Sequence, residues 1–144
     1  MNNVNDVLNK QVANWSVLYF KLHNFHWFVK GEQFYALHNH FEGLYNEAAT
    51  QIDELAERVL IVGGEPVATM REMLELSSIA EATGKEDAKE MLKVVKKDFE
   101  LMIEELKSGF EIADKAGDEV TAGMLVDIQA GLEKHVWMLN ATLG

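Results

Sequence analysis

The sequence contains no cysteine, which excludes disulfides, thiolate metal sites and cysteine nucleophiles. It has a single proline and ten glycines among 144 residues, so little interrupts long helices. Basic residues are scarce, 13 against 24 acids, for a formal net charge of −11. That balance disfavours nucleic acid and anionic membranes as direct partners and favours cations. No apolar run approaches the ~18–20 residues of a membrane span. The first ten residues, MNNVNDVLNK, lack both a basic and an apolar leader segment. The expected compartment is therefore the cytoplasm. What is abundant is apolar: 48% of residues, including seven Met and seven Phe, enough for one domain spanning 1–144 with a sizeable core.

Periodicity predicts an all-α chain. A first helix begins near Asn5 or Asp6, carries a stripe at Leu8, Trp15, Leu22 and Val29, and ends at Gly31. A second runs from about Gln33 to Val62, with apolar residues at 34, 37, 41, 44, 48, 52, 55, 59 and 62, and stops at Gly63-Gly64. Residues 64–86 form a long connection. Within it Thr69 and Glu72 have capping-box spacing, which predicts a short helix over about 69–76. A third long helix spans about Asp87 to Lys115 and is broken by Gly117. The last starts near Asp118 to Thr121 and ends by Leu143, with Met124, Ile128, Leu132, His135 and Leu139 inward. A linker of this length lets the chain cross from one end of a four-helix bundle to the other.

The chemistry concentrates between His26 and Arg58. With His38 at zero on the helical wheel, Glu42 falls at about 40°, Asp53 at about 60° and Glu57 at about 100°. These residues form a polar stripe beside the apolar one. Ala49, Ala56 and Leu60 share its arc, so it is no ordinary solvated face. Fifteen residues separate His38 from Asp53, roughly 22 Å at ~1.5 Å per residue. Ligands of one transition metal lie ~2.0–2.3 Å from it, so the two ends of this stripe cannot share an ion within one helix. Two copies packed antiparallel about a two-fold near Asn46 and Glu47 would bring His38/Glu42 of one onto Asp53/Glu57 of the other, twice. Imidazole and carboxylate donors with open positions suit ferrous iron, with Zn, Mn or Co as substitutes.

The run H-W-x-x-x-G-x5-L-H-x3-E, then I-D-x-L-A-E-R, then G-G-x-P, with KHVWML near the end, resembles the Dps-type mini-ferritins. The resemblance implies a ferritin-like four-helix bundle with a short extra helix in the long connection between its second and third long helices, and a hollow homododecamer. It implies a ferroxidase that oxidises ferrous iron, preferably with hydrogen peroxide, and stores ferric mineral inside, which protects against oxidative damage. By position, His26, His38 and Glu42 come from one subunit and Asp53 and Glu57 from its two-fold mate. Glu42 stands where the family often has Asp. Trp27, beside a ligand, is either packing or an oxidisable ring that scavenges electrons near iron.

Other readings weigh against these. The His, Asp and Glu stripe could be a salt-bridged interface. An intra-subunit di-iron site needs Glu-x-x-His on two helices, and no Glu lies three residues before any of the five histidines. His40, about 200° from His38, is expected on a solvated face, and His135 in the core. Arg58 is expected to pair with an acid across an interface. Asp114, Asp118 and Glu119 could merely favour a helix N-terminus; in the family this turn lines a three-fold pore for iron, although an acid often found near position 123 is Gly123 here. Family members also bind DNA, commonly through a lysine-rich tail. The first nine residues and those after Lys134 contain no Lys or Arg, so direct DNA binding is not expected. A nucleoid-binding stress protein and a non-catalytic helical scaffold are the rival functions.

Overall fold

A computed structural model describes residues 3–144. It contains helices α1 (Val4–Phe28), α2 (Phe34–Ile61), α3 (Met70–Leu76), α4 (Ala88–Lys115) and α5 (Glu119–Leu143), and no strand among the described residues. α1 lies along α2 and α4 along α5, so the bundle is two helical hairpins joined by the α3 connection, which folds over α1. None of these helices is long and apolar enough to cross a membrane.

The periodic stripes become the core. On α2, Leu37, Phe41, Leu44, Ala48, Leu55 and Val59 are buried, with Phe34, Ile52 and Val62 packed at the edge. Leu8, Trp15 and Leu22 of α1 face them, as does Val29 just beyond its end. Fully burying side chains of this size stabilises by ~1.5–3 kcal/mol each before entropy is counted. One seam of this core is polar. Lys21 Nζ meets Asp98 Oδ2 at 2.7 Å between α1 and α4. Burial pushes the Asp98 carboxyl up, and Lys21 opposes that only in part. About two turns away, Asn14 donates to Glu105 at 2.7 Å and accepts from the Ser78 amide at 2.8 Å, which fastens the connection to both helices.

Helix ends follow from local chemistry. α1 starts earlier than its sequence suggests: Asn3, not Asn5 or Asp6, is the N-cap, its side chain accepting from the Asp6 amide at 2.9 Å. Asn5 is instead pressed against Gly64, where a Cβ would come within 2.5 Å of its Oδ1. α3 carries the expected capping box between Thr69 and Glu72. α2 and α4 end alike. Gly63 (φ +87°) and Gly117 (φ +75°) adopt the left-handed conformation that glycine tolerates, and the next amide returns to the carbonyl of Val59 or Ala113. This sharp stop after α4 sets Asp118 at the mouth of α5, where it caps the Thr121 amide at 3.0 Å.

Candidate metal centre

His26 lies in the last turn of α1, where backbone carbonyls have no helical partner. His38 supplies one: its Nδ1–H donates to the His26 carbonyl at 2.7 Å. The favour is returned, because His26 Nδ1–H donates to the His38 carbonyl at 2.7 Å. A carbonyl can only accept, so both imidazoles carry their proton on Nδ1 and keep a lone pair on Nε2. That is the tautomer a metal ligand needs, fixed by the hydrogen bond at the other nitrogen. The rings stack at 3.7 Å and 15°, and Phe34 covers His38 at 4.9 Å. His26 is buried and His38 partly so.

Glu42, one turn after His38, is half exposed, with Oε1 4.0 Å from His26 Nε2. That is too long for a hydrogen bond, yet it matches two ligands of one ion, each ~2.0–2.2 Å from it and subtending a wide angle. His26, His38 and Glu42 are thus brought together on one surface. Asp53 and Glu57 are exposed further along the unbroken α2, out of reach of that group. No three His, Asp or Glu among the described residues converge closely enough to hold an ion by themselves.

The surroundings are aromatic. Trp27 is 58% exposed. Its ring lies 5.3 Å from His23 and 6.2 Å from Phe20. Tyr45 stacks on His23 at 3.7 Å and meets His26 edge-on at 5.3 Å. Sequence reasoning overlooked Tyr45, although a signal exists. Seven residues after His38 it returns to within about 20° of the same bearing.

Three expectations are corrected. His135 is not simple core packing: its Nε2 bonds Glu47 Oε2 at 2.7 Å, tying α5 to α2, with Phe99 against the ring at 5.7 Å. His40 is half-buried rather than solvated, and burial, then the neighbouring His135, hold it below its ordinary pKa. Arg58 finds its acid within the chain. Its guanidinium donates to Asp118 Oδ1 at 2.9 Å and to the Thr121 hydroxyl at 3.0 Å. Partial burial alone would raise the Asp118 pKa. The Thr121 hydroxyl and amide and Arg58 outweigh it and hold the carboxyl below its usual range. Asp118 is therefore engaged in structure, while Asp114, Glu119 and Gly123 stay exposed around the same turn.

Residues 5–144 match the ferritin-like domain model. The chain is 59% identical over 138 residues to DNA protection during starvation protein 2 of Bacillus anthracis, covering 96% of this chain and 94% of that one. The crystal structure of a Dps protein from Bacillus brevis superposes with a TM-score of 0.97 at 58% identity, over 98% of this chain and 95% of that one. A zinc-soaked Dps from Listeria innocua does so at 0.95 and 40%, over 99% and 97%. The four-helix bundle with a short helix in its long connection thus coincides with these relatives over nearly the whole chain. The chain belongs to the ferritin-like family, as a Dps-type mini-ferritin. Proteins of this kind bind iron and serve iron storage and protection against stress.

Proposed function

We propose that the protein is a ferroxidase that withdraws ferrous iron and hydrogen peroxide together and stores the ferric product inside a homododecamer in the cytoplasm. The observation that carries this reading is the reciprocal His26/His38 pair. Two imidazoles are locked in the metal-binding tautomer beside Glu42, and the remaining donors, Asp53 and Glu57, are reachable only from a second copy. Ferrous iron is the substrate. His26, His38 and Glu42 hold it from one side, and Asp53 and Glu57 of a two-fold mate complete the site. Carboxylates then favour the ferric product, a harder and more highly charged ion. Electron balance takes two ferrous ions per peroxide, with two protons, to two ferric ions and two waters, so no hydroxyl radical is released. Trp27, the residue after His26, is the ring that would supply an electron when only one iron is bound. Asp114 and Glu119 draw ferrous ions to a pore, three copies summing their charge; Asp118 contributes less there, since Arg58 neutralises it. Zinc, manganese and cobalt suit the same donors without the redox step or with a slower one.

An anaerobic ferrous titration followed by peroxide tests the proposal. The expected result is saturable binding that the His26→Ala/His38→Ala variant loses. Ferric absorbance should then appear at two irons per peroxide, with little trapped radical. One iron per peroxide with abundant radical, or binding indifferent to both histidines, would overturn it.

A further inference from the structure

We propose that Tyr45 is a positioning residue for His26, holding that ligand's ring through an aromatic box shared with His23 and Tyr19; this rests on the reading above that His26 binds ferrous iron. The hydrogen bond from Nδ1 to the His38 carbonyl fixes one atom of the imidazole but leaves the ring free to rock about that bond. Rocking moves Nε2, the metal-binding atom. The His38 stack limits the motion on one side. Tyr45 supplies a further contact, nearly perpendicular to the His26 ring at 87° and 5.3 Å.

Tyr45 can do this because it is itself held. His23 stacks on it at 3.7 Å and 20°, and Tyr19 meets it edge-on at 6.1 Å. His23 is oriented in turn by its Nδ1–H, which donates to the Tyr19 carbonyl at 2.9 Å. Three residues about one turn apart on α1, at 19, 23 and 26, therefore close on one ring from α2. Tyr45 also follows Glu42 by three residues, so it lies beside Glu42 as well as His26. Aromatic pairs in such geometries contribute beyond the area they bury, and partners that orient a metal-ligating His typically govern 10–100-fold in affinity.

Cobalt(II) is the probe, because its visible d–d bands report ligand geometry. Parent, Tyr45→Phe, Tyr45→Ala and Tyr45→Leu proteins are titrated anaerobically as assembled oligomers, with thermal unfolding measured alongside. Tyr45→Phe should keep the parent spectrum and an affinity within about two-fold. Tyr45→Ala, or Tyr45→Leu if the alanine chain does not assemble, should weaken cobalt binding about ten-fold and alter the d–d bands. Ferrous oxidation should show KM rising more than kcat falls. A folded Ala or Leu variant with parent affinity and spectrum would overturn the proposal. So would a Tyr45→Phe variant as damaged as Tyr45→Ala, since the hydroxyl would then be responsible. If His26→Ala leaves the parent's cobalt spectrum unchanged, the metal reading has failed instead. Crystals of the metal-free variants then still decide the positioning role, by whether the His26 ring keeps the parent orientation in the Phe variant and rocks about its bond to the His38 carbonyl in the Ala or Leu variant.

Discussion

Replacing Asp118 should destabilise the protein far more than replacing its acidic neighbours. Its carboxylate caps the α5 amide of Thr121 at 3.0 Å, accepts from the Thr121 hydroxyl at 2.6 Å and takes the Arg58 guanidinium at 2.9 Å. Losing an N-cap costs ~1 kcal/mol. A hydrogen bond to a charged partner contributes ~1.5–3 kcal/mol, and both Arg58 and Asp118 side chains are less than one-fifth exposed. Asp118→Ala is therefore expected to cost about 2–4 kcal/mol, and Asp118→Asn, which keeps an oxygen for the cap but loses the charge, about 1–2 kcal/mol. Asp114→Asn and Glu119→Gln, at exposed positions, should each stay within ~0.5 kcal/mol. The pH dependence has a fixed sign. The folded pKa of Asp118 is depressed, so its contribution is present above the unfolded value of ~3.9 and lost as pH falls through the folded one. The gap between parent and Asp118→Asn should thus be constant near neutrality and close below about pH 4. Denaturant unfolding followed by circular dichroism, at one protein concentration, measures all of this. An Asp118→Ala chain as stable as the parent, or a gap that persists into strong acid, would refute the reasoning.

Two further outcomes concern charge. Neutralising Asp114 and Glu119 together should slow ferrous uptake and flatten its dependence on ionic strength, with assembly intact; stopped-flow oxidation at low salt checks this, and unchanged rates would remove these acids from the entry path. The metal-free protein should not retard DNA in a gel shift at micromolar concentration, low salt and neutral pH with a chelator present, because a chain of net charge −11 repels phosphate; a retarded band would favour nucleoid binding instead.

What could be read from the sequence was whatever a single helix decides for itself. The stripe from Phe34 to Val62 predicted the buried face of α2 almost residue for residue, because burial follows a 3.6-residue period. Thr69 and Glu72, only three apart, predicted the cap of α3. Where several residues compete, local rules lose resolution. The segment NNVND offers four cap formers, and Asn3 takes the cap while Asn5 is drawn to Gly64. Contacts between helices far apart in sequence were not legible. Arg58 and Asp118 are 60 residues apart and Glu47 and His135 88, and a wheel gives a side chain's direction but not its neighbour. The same applies to the site. Spacing aligned His38 and Glu42 and separated Asp53, but that His26 and His38 bond each other's carbonyls depends on how the α1–α2 turn closes.

The central claim is that one site is built by two chains, and complementation tests it directly. A His26→Ala/His38→Ala chain is mixed with an Asp53→Ala/Glu57→Ala chain under conditions that exchange dimers. Each heterodimer then holds one intact site and one doubly damaged site. The account predicts that each parent is inactive in peroxide-dependent iron oxidation and that the mixture recovers part of the activity. Proven heterodimers with no recovery would contradict it.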